Sequence, residues 1–460
     1  MTAPRVLHGS PPHPGASAEV VVIGAGACGL TAALMAQSRG REVLVVERDA
    51  RPSGSTSMSS GYVPAPATRA QRALGIDDSP DLFLKDIMSK SAGTSHPRLA
   101  ALAAYQIGPA IDWLAENAGI DWIVLDDFLY PGHSRHRMHA VAERTGAALH
   151  ARLLAAVAAA DIPLLTGAQA TTLWTENDGR ISAVGLSRLD GQEEVLGCDA
   201  LILACNGYGG NPDLVAKHIP EMATAIYHGH AGNTGDALLW GRALGAKTEH
   251  LSGYQGHGSL ASPHNIPITW VLMTEGGLQV NALGKRFASE LGGYSEAAPL
   301  VLDQPGGVAW NIYDGRLHAM ALNGFADYRI AVDAGAIRQS DTINGLAEAL
   351  GLPVAALVET VAEFGDPARP DPFGRDTSVN GPLESPYFGV KVTGALFHTQ
   401  GGLVIDDHAR VLLTNGDAIP NLYAAGGAAC GESGPKVFGY LSGNGLLSAI
   451  GYGFLAGTNA

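Results

Sequence analysis

Val20-Val21-Val22-Ile23-Gly24-Ala25-Gly26-Ala27-Cys28-Gly29 joins an unbroken apolar run to three closely spaced glycines. The apolar run predicts a strand buried on both faces of a parallel sheet. A helical stretch follows, Leu30 to Ser38, closed by Arg39-Gly40, and a second apolar strand, Val43 to Val46, ends on Glu47. This is a βαβ unit with G-x-G-x-x-G at its first turn. Gly24 permits the tight turn, Gly26 lets a pyrophosphate approach the backbone, and Gly29 lets helix and strand pack closely. The helix N-terminus offers unpaired N–H groups and a positive dipole end to the phosphates. Glu47 is placed to accept hydrogen bonds from a ribose, which favours FAD or NAD over NADP.

Two later segments repeat the strand-then-glycine theme. Ala200 to Ala204 leads into Asn206-Gly207-Tyr208-Gly209-Gly210. Asn421 to Ala425 leads into Gly426-Gly427, then Gly443-Asn444-Gly445-Leu446-Leu447 and a C-terminal apolar helix. Cofactor-type segments thus stand at both ends of the chain, and the middle reads as an insertion. We expect an α/β, Rossmann-type cofactor domain over 18–253 and 392–460, with an inserted α+β capping domain over 254–391. Residues 1–17, rich in Pro, Gly and His, read as a disordered lead without a signal-peptide core. Asp366 to Pro386 reads as loop.

Composition narrows the function. A chain of 460 residues exceeds one small core. The formal net charge of -15 argues against nucleic-acid or anionic-membrane partners. No apolar run of about 18 residues is present, so no membrane-spanning helix is expected. The four cysteines, Cys28, Cys198, Cys205 and Cys430, form no C-x-x-C pair and no disulfide framework, which fits a cytoplasmic protein. His133, His136 and His139 alternate with Arg135 and Arg137. Their spacing is not an i, i+4 ligand pair, and the arginines would repel a cation. We read this segment as a basic loop near the cofactor or substrate and expect no metal.

The chain resembles the fumarate reductase and succinate dehydrogenase flavoprotein superfamily, which also contains the 3-ketosteroid dehydrogenases. The likeness runs through Gly54-Ser55-Thr56 to Ser60-Gly61, Thr234-Gly235-Asp236, Gly277 to Asn281 with Gly284 to Glu290, and His398-Thr399-Gln400-Gly401-Gly402. It implies FAD, with contacts from Gly24, Gly26, Gly29, Glu47, Ser55, Thr56, Ser60, Gly61, Ala170, Asn206, Gly207, Asp236, Gly426, Gly445 and Leu446. Thr56-Ser57-Met58-Ser59 lacks the histidine that the succinate dehydrogenase branch uses for covalent attachment, so the FAD is expected to be non-covalent. Electrons would leave to oxygen or a diffusible acceptor.

The resemblance breaks at two points. Fumarate reductases carry an arginine four residues past the glutamate matching Glu290 and another in a C-terminal R-L-G-G-N segment. Here the two positions are Tyr294 and Tyr440. The 3-ketosteroid dehydrogenases show that same paired replacement. The likeness implies that Tyr294 takes an α-proton while Tyr440 and the Asn444 backbone N–H polarise a ketone. Tyr130 is a further tyrosine matching that group, and Arg286 a cation that could help Tyr294 ionise. His398 and His257 match carboxylate-contacting histidines of the fumarate reductases. The reading is an FAD-dependent desaturase of a cyclic ketone, one carrying a carboxylate, such as 4-oxocyclohexanecarboxylate. The alternatives are a 3-ketosteroid dehydrogenase, an enoate reductase, and a flavin-binding protein without turnover.

Overall fold

The computed structural model describes residues 4–12, 14–366, 368–376 and 379–460. The chain divides into two units: Met1–Ile219, Gly229–Tyr254 and His398–Ala460 in the first, Pro220–His228 and Gln255–Phe397 in the second.

The first unit is built on a nine-stranded sheet, counted among the described residues. Strand Ala16–Ile23 pairs parallel with Val43–Val46, Val21 opposite Leu44, and with Glu193–Leu203, Leu201 opposite Val21. Strand Ala418–Ala424, from the far end of the sequence, pairs parallel with Glu193–Leu203, Ile202 opposite Tyr423. One sheet therefore takes strands from both ends of the chain. Val20, Val21 and Val22 have no exposed surface, as an apolar run in a doubly covered sheet requires.

Helix Ala27–Ser38 is buried from Ala27 to Ala36 and is covered by the C-terminal helix Asn444–Asn459. Two glycines set that approach. A Cβ on Gly453 would lie 2.6 Å from the Cys28 carbonyl oxygen, and one on Gly457 would lie 2.3 Å from that of Ala32. Helix Gly146–Ala159 is capped by Thr145, whose hydroxyl accepts from the Ala148 N–H.

The lead is shorter than the sequence suggests. Arg5–His8 forms a strand, parallel to Ala168–Thr175 with Arg5 opposite Thr172. Backbone pairing to a sheet edge fixes it, a contact distant in sequence that composition does not show. Residues 1–3 and 13 of the expected lead, and 367, 377 and 378 of the expected loop, lie outside the described residues. Among the described residues no helix is long and apolar enough to cross a membrane.

The second unit carries a seven-stranded sheet among the described residues, chiefly antiparallel, with helices such as Tyr294–Leu302 and Val354–Phe364. Its limits differ from the expected 254–391. Strand Tyr387–Thr399 runs on past Lys391, and Ile226–Tyr227 pairs parallel with its Ala395 and Leu396. So residues 220–228 and 392–397 belong to this unit, where Ile226–Tyr227 and most of that strand share one ladder.

A buried charge cluster ties the proline-rich loop into the second unit. Arg286 donates to both oxygens of Glu290, at 2.8 and 2.7 Å, and also to Asp371. Arg375 donates to Glu290 at 3.0 Å and to the carbonyls of Gly277 and Met273, both at 2.8 Å. Phe364 lies beneath both guanidinium groups. Glu290, with 3% exposure, is thus shared by two arginines. Removing one partner of a buried ion pair leaves an uncompensated charge, at a cost of about 3–5 kcal/mol. Glu290→Ala should therefore lower the thermal midpoint markedly and open the 366–386 loop to limited proteolysis, both measurable on the purified protein. An unchanged midpoint would show that Asp371 alone holds the two arginines.

Candidate active site

The three glycines of the first turn do what their spacing requires. Gly24 has φ +109°, and a Cβ there would meet the Ala204 carbonyl oxygen at 2.6 Å. A Cβ on Gly29 would fall 1.8 Å from the Gly24 oxygen. Side chains brace the loop. Glu47 accepts from the Ala25 N–H and the Asp49 N–H, each at 2.9 Å. The Thr56 hydroxyl accepts from the Ala27 N–H at 3.0 Å. His150 reaches the Ala25 carbonyl at 2.7 Å through Nε2, with Nδ1 3.2 Å from the Ser57 hydroxyl.

The other cofactor-type segments gather within the same unit. The Ser55 hydroxyl accepts from Asn206 at 3.3 Å and from Asn233 at 2.8 Å. Asn206 has φ +67°, and its side chain accepts from the Gly207 N–H. Thr234 donates to Asp236 at 2.8 Å, and burial raises the Asp236 pKa. Gly61 packs on the start of helix Gly146–Ala159, while Ser60 is exposed. Ala170 is buried in strand Ala168–Thr175, and Gly426, at φ +57°, lies against Cys28. Gly445 and Leu446 sit in the first turn of the C-terminal helix.

These residues fit FAD. The glycine turn, the short helix Gly54–Met58 and the first turn of the C-terminal helix carry the residues that would hold it. Glu432 supplies a second, independent sign. Both of its carboxyl oxygens are buried with no hydrogen-bond partner among the described residues. Burial raises its pKa to about 8. Such an orphan is costly unless a bound polar group meets it.

Tyr440 stands just before the C-terminal helix. Its hydroxyl accepts from the Gly443 N–H at 3.3 Å. Its ring meets His398 edge-on, 5.7 Å between centroids. The Tyr130 loop lies against this segment: His133 Nε2 bonds the Ser442 carbonyl at 3.0 Å, and a Cβ on Gly132 would touch Leu441. Tyr130 itself packs on Phe128 and Tyr62. The Asn444 N–H closes a turn onto the Leu441 carbonyl at 3.1 Å, so it is already engaged where the sequence suggested a ketone donor.

Tyr294 opens helix Tyr294–Leu302 of the second unit, its ring 5.3 Å from that of His257. His257 stacks in turn on Phe397, 5.0 Å away and 13° from parallel. Arg286 differs from expectation. Its charge is balanced by Glu290 and Asp371, and its place is in the ion cluster that holds the loop.

The 133–139 segment also differs from the basic loop anticipated. Arg137 is 1% exposed and is held by Asp78, with two contacts of 2.9 Å, and by Asp86. His139 bonds the Arg137 carbonyl and the Thr68 hydroxyl. Among the described residues no group of three or more His, Cys, Asp or Glu could hold a metal ion. Sequence reasoning missed Glu432, Gln400, Ser433 and His150. The first three stand inside or beside glycine-rich segments that were singled out; the last lies in an alanine-rich helix that gives no signal.

A family model described as FAD binding domain matches residues 19–446. The fumarate reductase (cytochrome) of Shewanella frigidimarina is 28% identical over 459 residues, covering 98% of this chain and 78% of its own. Among solved structures, the open conformation of a flavocytochrome c3 fumarate reductase superposes with a TM-score of 0.84 at 27% identity, covering 97% of this chain and 78% of that one. The 3-ketosteroid-Δ4-(5α)-dehydrogenase of Rhodococcus jostii RHA1 superposes with a TM-score of 0.76 at 22% identity over 99% of both chains, a likeness of fold.

Four histidines of these segments are held neutral by desolvation: His133, His139 and His398 have their pKa pushed down to about 4, and His257 to about 3. A folded pKa below the unfolded value gives stability that is present above the unfolded pKa, near 6.5, and is lost as pH falls toward the folded one. The thermal midpoint of the flavin-loaded protein should therefore fall progressively between about pH 6.5 and pH 4. Yellow flavin should leave with the acid supernatant, because no histidine stands at the attachment position. Flavin retained on the precipitate would mean a covalent bond.

Proposed function

The chain belongs to the FAD binding domain family and is an FAD-dependent oxidoreductase acting on carbon–carbon bonds; from that premise we propose that it desaturates a cyclic ketone across the α,β bond, and that the preferred ketone carries a carboxylate. The observation that carries this reading is a tyrosine at both positions where the fumarate reductases have an arginine, Tyr294 and Tyr440.

Bound FAD supplies the acceptor for the β-hydride. The remaining work falls to side chains. Loss of the α-proton builds negative charge on the ketone oxygen, and a preorganised hydroxyl donor lowers the barrier by meeting that charge. Tyr440, whose oxygen accepts from the Gly443 N–H, is the hydroxyl we assign to this role, by its match to the 3-ketosteroid dehydrogenases. Tyr294 takes the α-proton. With Arg286 bound to carboxylates, a neighbour that can steady a tyrosinate is His257, whose Nδ1 accepts from the Ser259 N–H at 3.1 Å and whose proton is therefore on Nε2. Hydrogen bonding to the charged form lowers a pKa. Reduced equivalents leave to oxygen or a diffusible acceptor.

The second reading, an enoate reductase, rests on the retained His257 and His398 and on the 28% identity to a fumarate reductase. It uses the same bond and the opposite direction.

Tyr440→Phe should cut turnover about a hundredfold to a thousandfold while FAD content stays unchanged. Tyr294→Phe should lose roughly a hundredfold or more. Stopped-flow bleaching of the flavin under anaerobic conditions measures both. In the unmodified protein, 4-oxocyclohexanecarboxylate should bleach faster than cyclohexanone, and cyclohexanone faster than a 3-ketosteroid. Oxidation of a reduced dye by fumarate-like acids, with no bleaching by any ketone, would transfer the assignment to the enoate reductase reading.

A further inference from the structure

Gln400, Ser433 and Asn444 are polar side chains with 5%, 1% and 0% exposure. Nothing in ketone polarisation or proton removal requires them. They form one chain of hydrogen bonds that ends on His398. Asn444 Nδ2 donates to the Ser433 hydroxyl at 2.7 Å. Ser433 donates to Gln400 Oε1 at 2.8 Å. Gln400 Nε2 then faces His398 Nδ1 at 3.0 Å.

The chain has a direction. A hydroxyl that receives the Asn444 amide passes its own proton to the Gln400 carbonyl. This leaves the Gln400 amide nitrogen toward His398 at 3.0 Å, and Nδ1 must accept; the Thr399 carbonyl, which would ask Nδ1 to donate, lies at 3.4 Å and is the weaker contact. The reverse order is also self-consistent on paper: His398 Nδ1–H to Gln400 Oε1, Gln400 to Ser433, and Ser433 to Asn444 Oδ1. The two orders differ at the Asn444 end. In the first, the group left over is a carbonyl oxygen, and Asn444 Oδ1 is indeed buried without a partner among the described residues. In the reverse order the leftover is an NH2 group. Buried N–H groups without acceptors are rarer and costlier than under-used carbonyls. Asn444 is also the first residue of the C-terminal helix, whose positive end favours an oxygen over an amide nitrogen. The first order wins.

We propose that Asn444, Ser433 and Gln400 form a directional relay that holds His398 as the Nε2–H tautomer, a single neutral donor aimed beside Gly445 to receive a substrate carboxylate. Gly445 makes room for that nitrogen: a Cβ there would lie 2.9 Å from His398 Nε2. The three relay members are positioning residues and act through His398. The tautomer assignment stands on the chain of hydrogen bonds, and the carboxylate rests on the proposed function above.

The test uses the flavin-loaded enzyme with 15N-labelled histidine. Long-range 1H–15N spectra distinguish protonated from bare ring nitrogens, and loss of one of the 16 histidine patterns in His398→Gln assigns the signal. The expected pattern for His398 is protonated Nε2 and bare Nδ1. Gln400→Glu presents acceptors only, so it should put a proton on Nδ1. Ser433→Ala, which breaks the relay one step back, should mix the tautomers, and Ser433→Thr should restore the original one. Both disruptive variants should raise KM for 4-oxocyclohexanecarboxylate roughly tenfold more than for cyclohexanone. A protonated Nδ1 in the unmodified enzyme, or a His398 signal indifferent to Gln400→Glu, overturns the relay. A tautomer that shifts while the two KM values keep their ratio upholds the relay and overturns carboxylate recognition by His398.

Discussion

The contact on which the rest of the first unit depends is the approach of Gly29 to the Gly24 carbonyl, too close for any Cβ. It turns the chain from strand Ala16–Ile23 into helix Ala27–Ser38, with the Ala25 and Ala27 N–H groups held by Glu47 and Thr56. The same helix is then closed from its other side by Gly453 and Gly457 of the C-terminal helix. Residues more than 400 positions away thus depend on that one turn, because the C-terminal helix packs on a surface that exists only if the turn is tight. The start of that helix carries Tyr440's segment, Asn444 and Gly445, so the geometry of the first turn reaches the chemistry at the other end of the chain.

Charge is managed in two ways. The second unit keeps its buried charges and pairs them: Arg286 and Arg375 share Glu290, with Asp371 as a further carboxylate. The first unit does likewise at Arg137 with Asp78 and Asp86. The buried histidines follow the other course and stay neutral. His139 and His257 each have Nδ1 bonded to main chain, and His133 has Nε2 so bonded. His398 Nδ1 meets both the Thr399 carbonyl, at 3.4 Å, and the side-chain relay, at 3.0 Å, and its other nitrogen lies against Gly445. The shorter of the two contacts on His398 Nδ1 comes from a side chain, so substitution can reverse its state.

Much of the fold was legible in linear order. The apolar run, the three glycines and the terminal acid are local, so their spacing alone specifies a strand, a tight turn and a helix. That Ala418–Ala424 and Glu193–Leu203 belong to one cofactor domain could be inferred because both segments end in the same strand-then-glycine pattern; that they pair directly came from the structure. The paired tyrosines were legible as substitutions at known positions. Three things were not legible in this way. Arg5–His8 joins a sheet edge through main-chain bonds that have no side-chain signature. Ile226–Tyr227 joins the second unit's sheet although it lies well before the insertion in sequence. Arg286 is an ordinary arginine in sequence, and only the arrival of Glu290 and Asp371 determines that its charge is balanced.

The sequence by itself determined the cofactor domain, the identity of the groups at its glycine turns, and the exchange of two arginines for tyrosines. These depend on residue type at fixed short spacing. Only the tertiary structure decided protonation and direction: that Glu432 is an orphan carboxyl, that the Asn444 N–H is engaged with Leu441, and that Gln400 turns its amide nitrogen toward His398. Such properties arise from desolvation and from which donor meets which acceptor, and both are set by atoms brought together from distant parts of the chain.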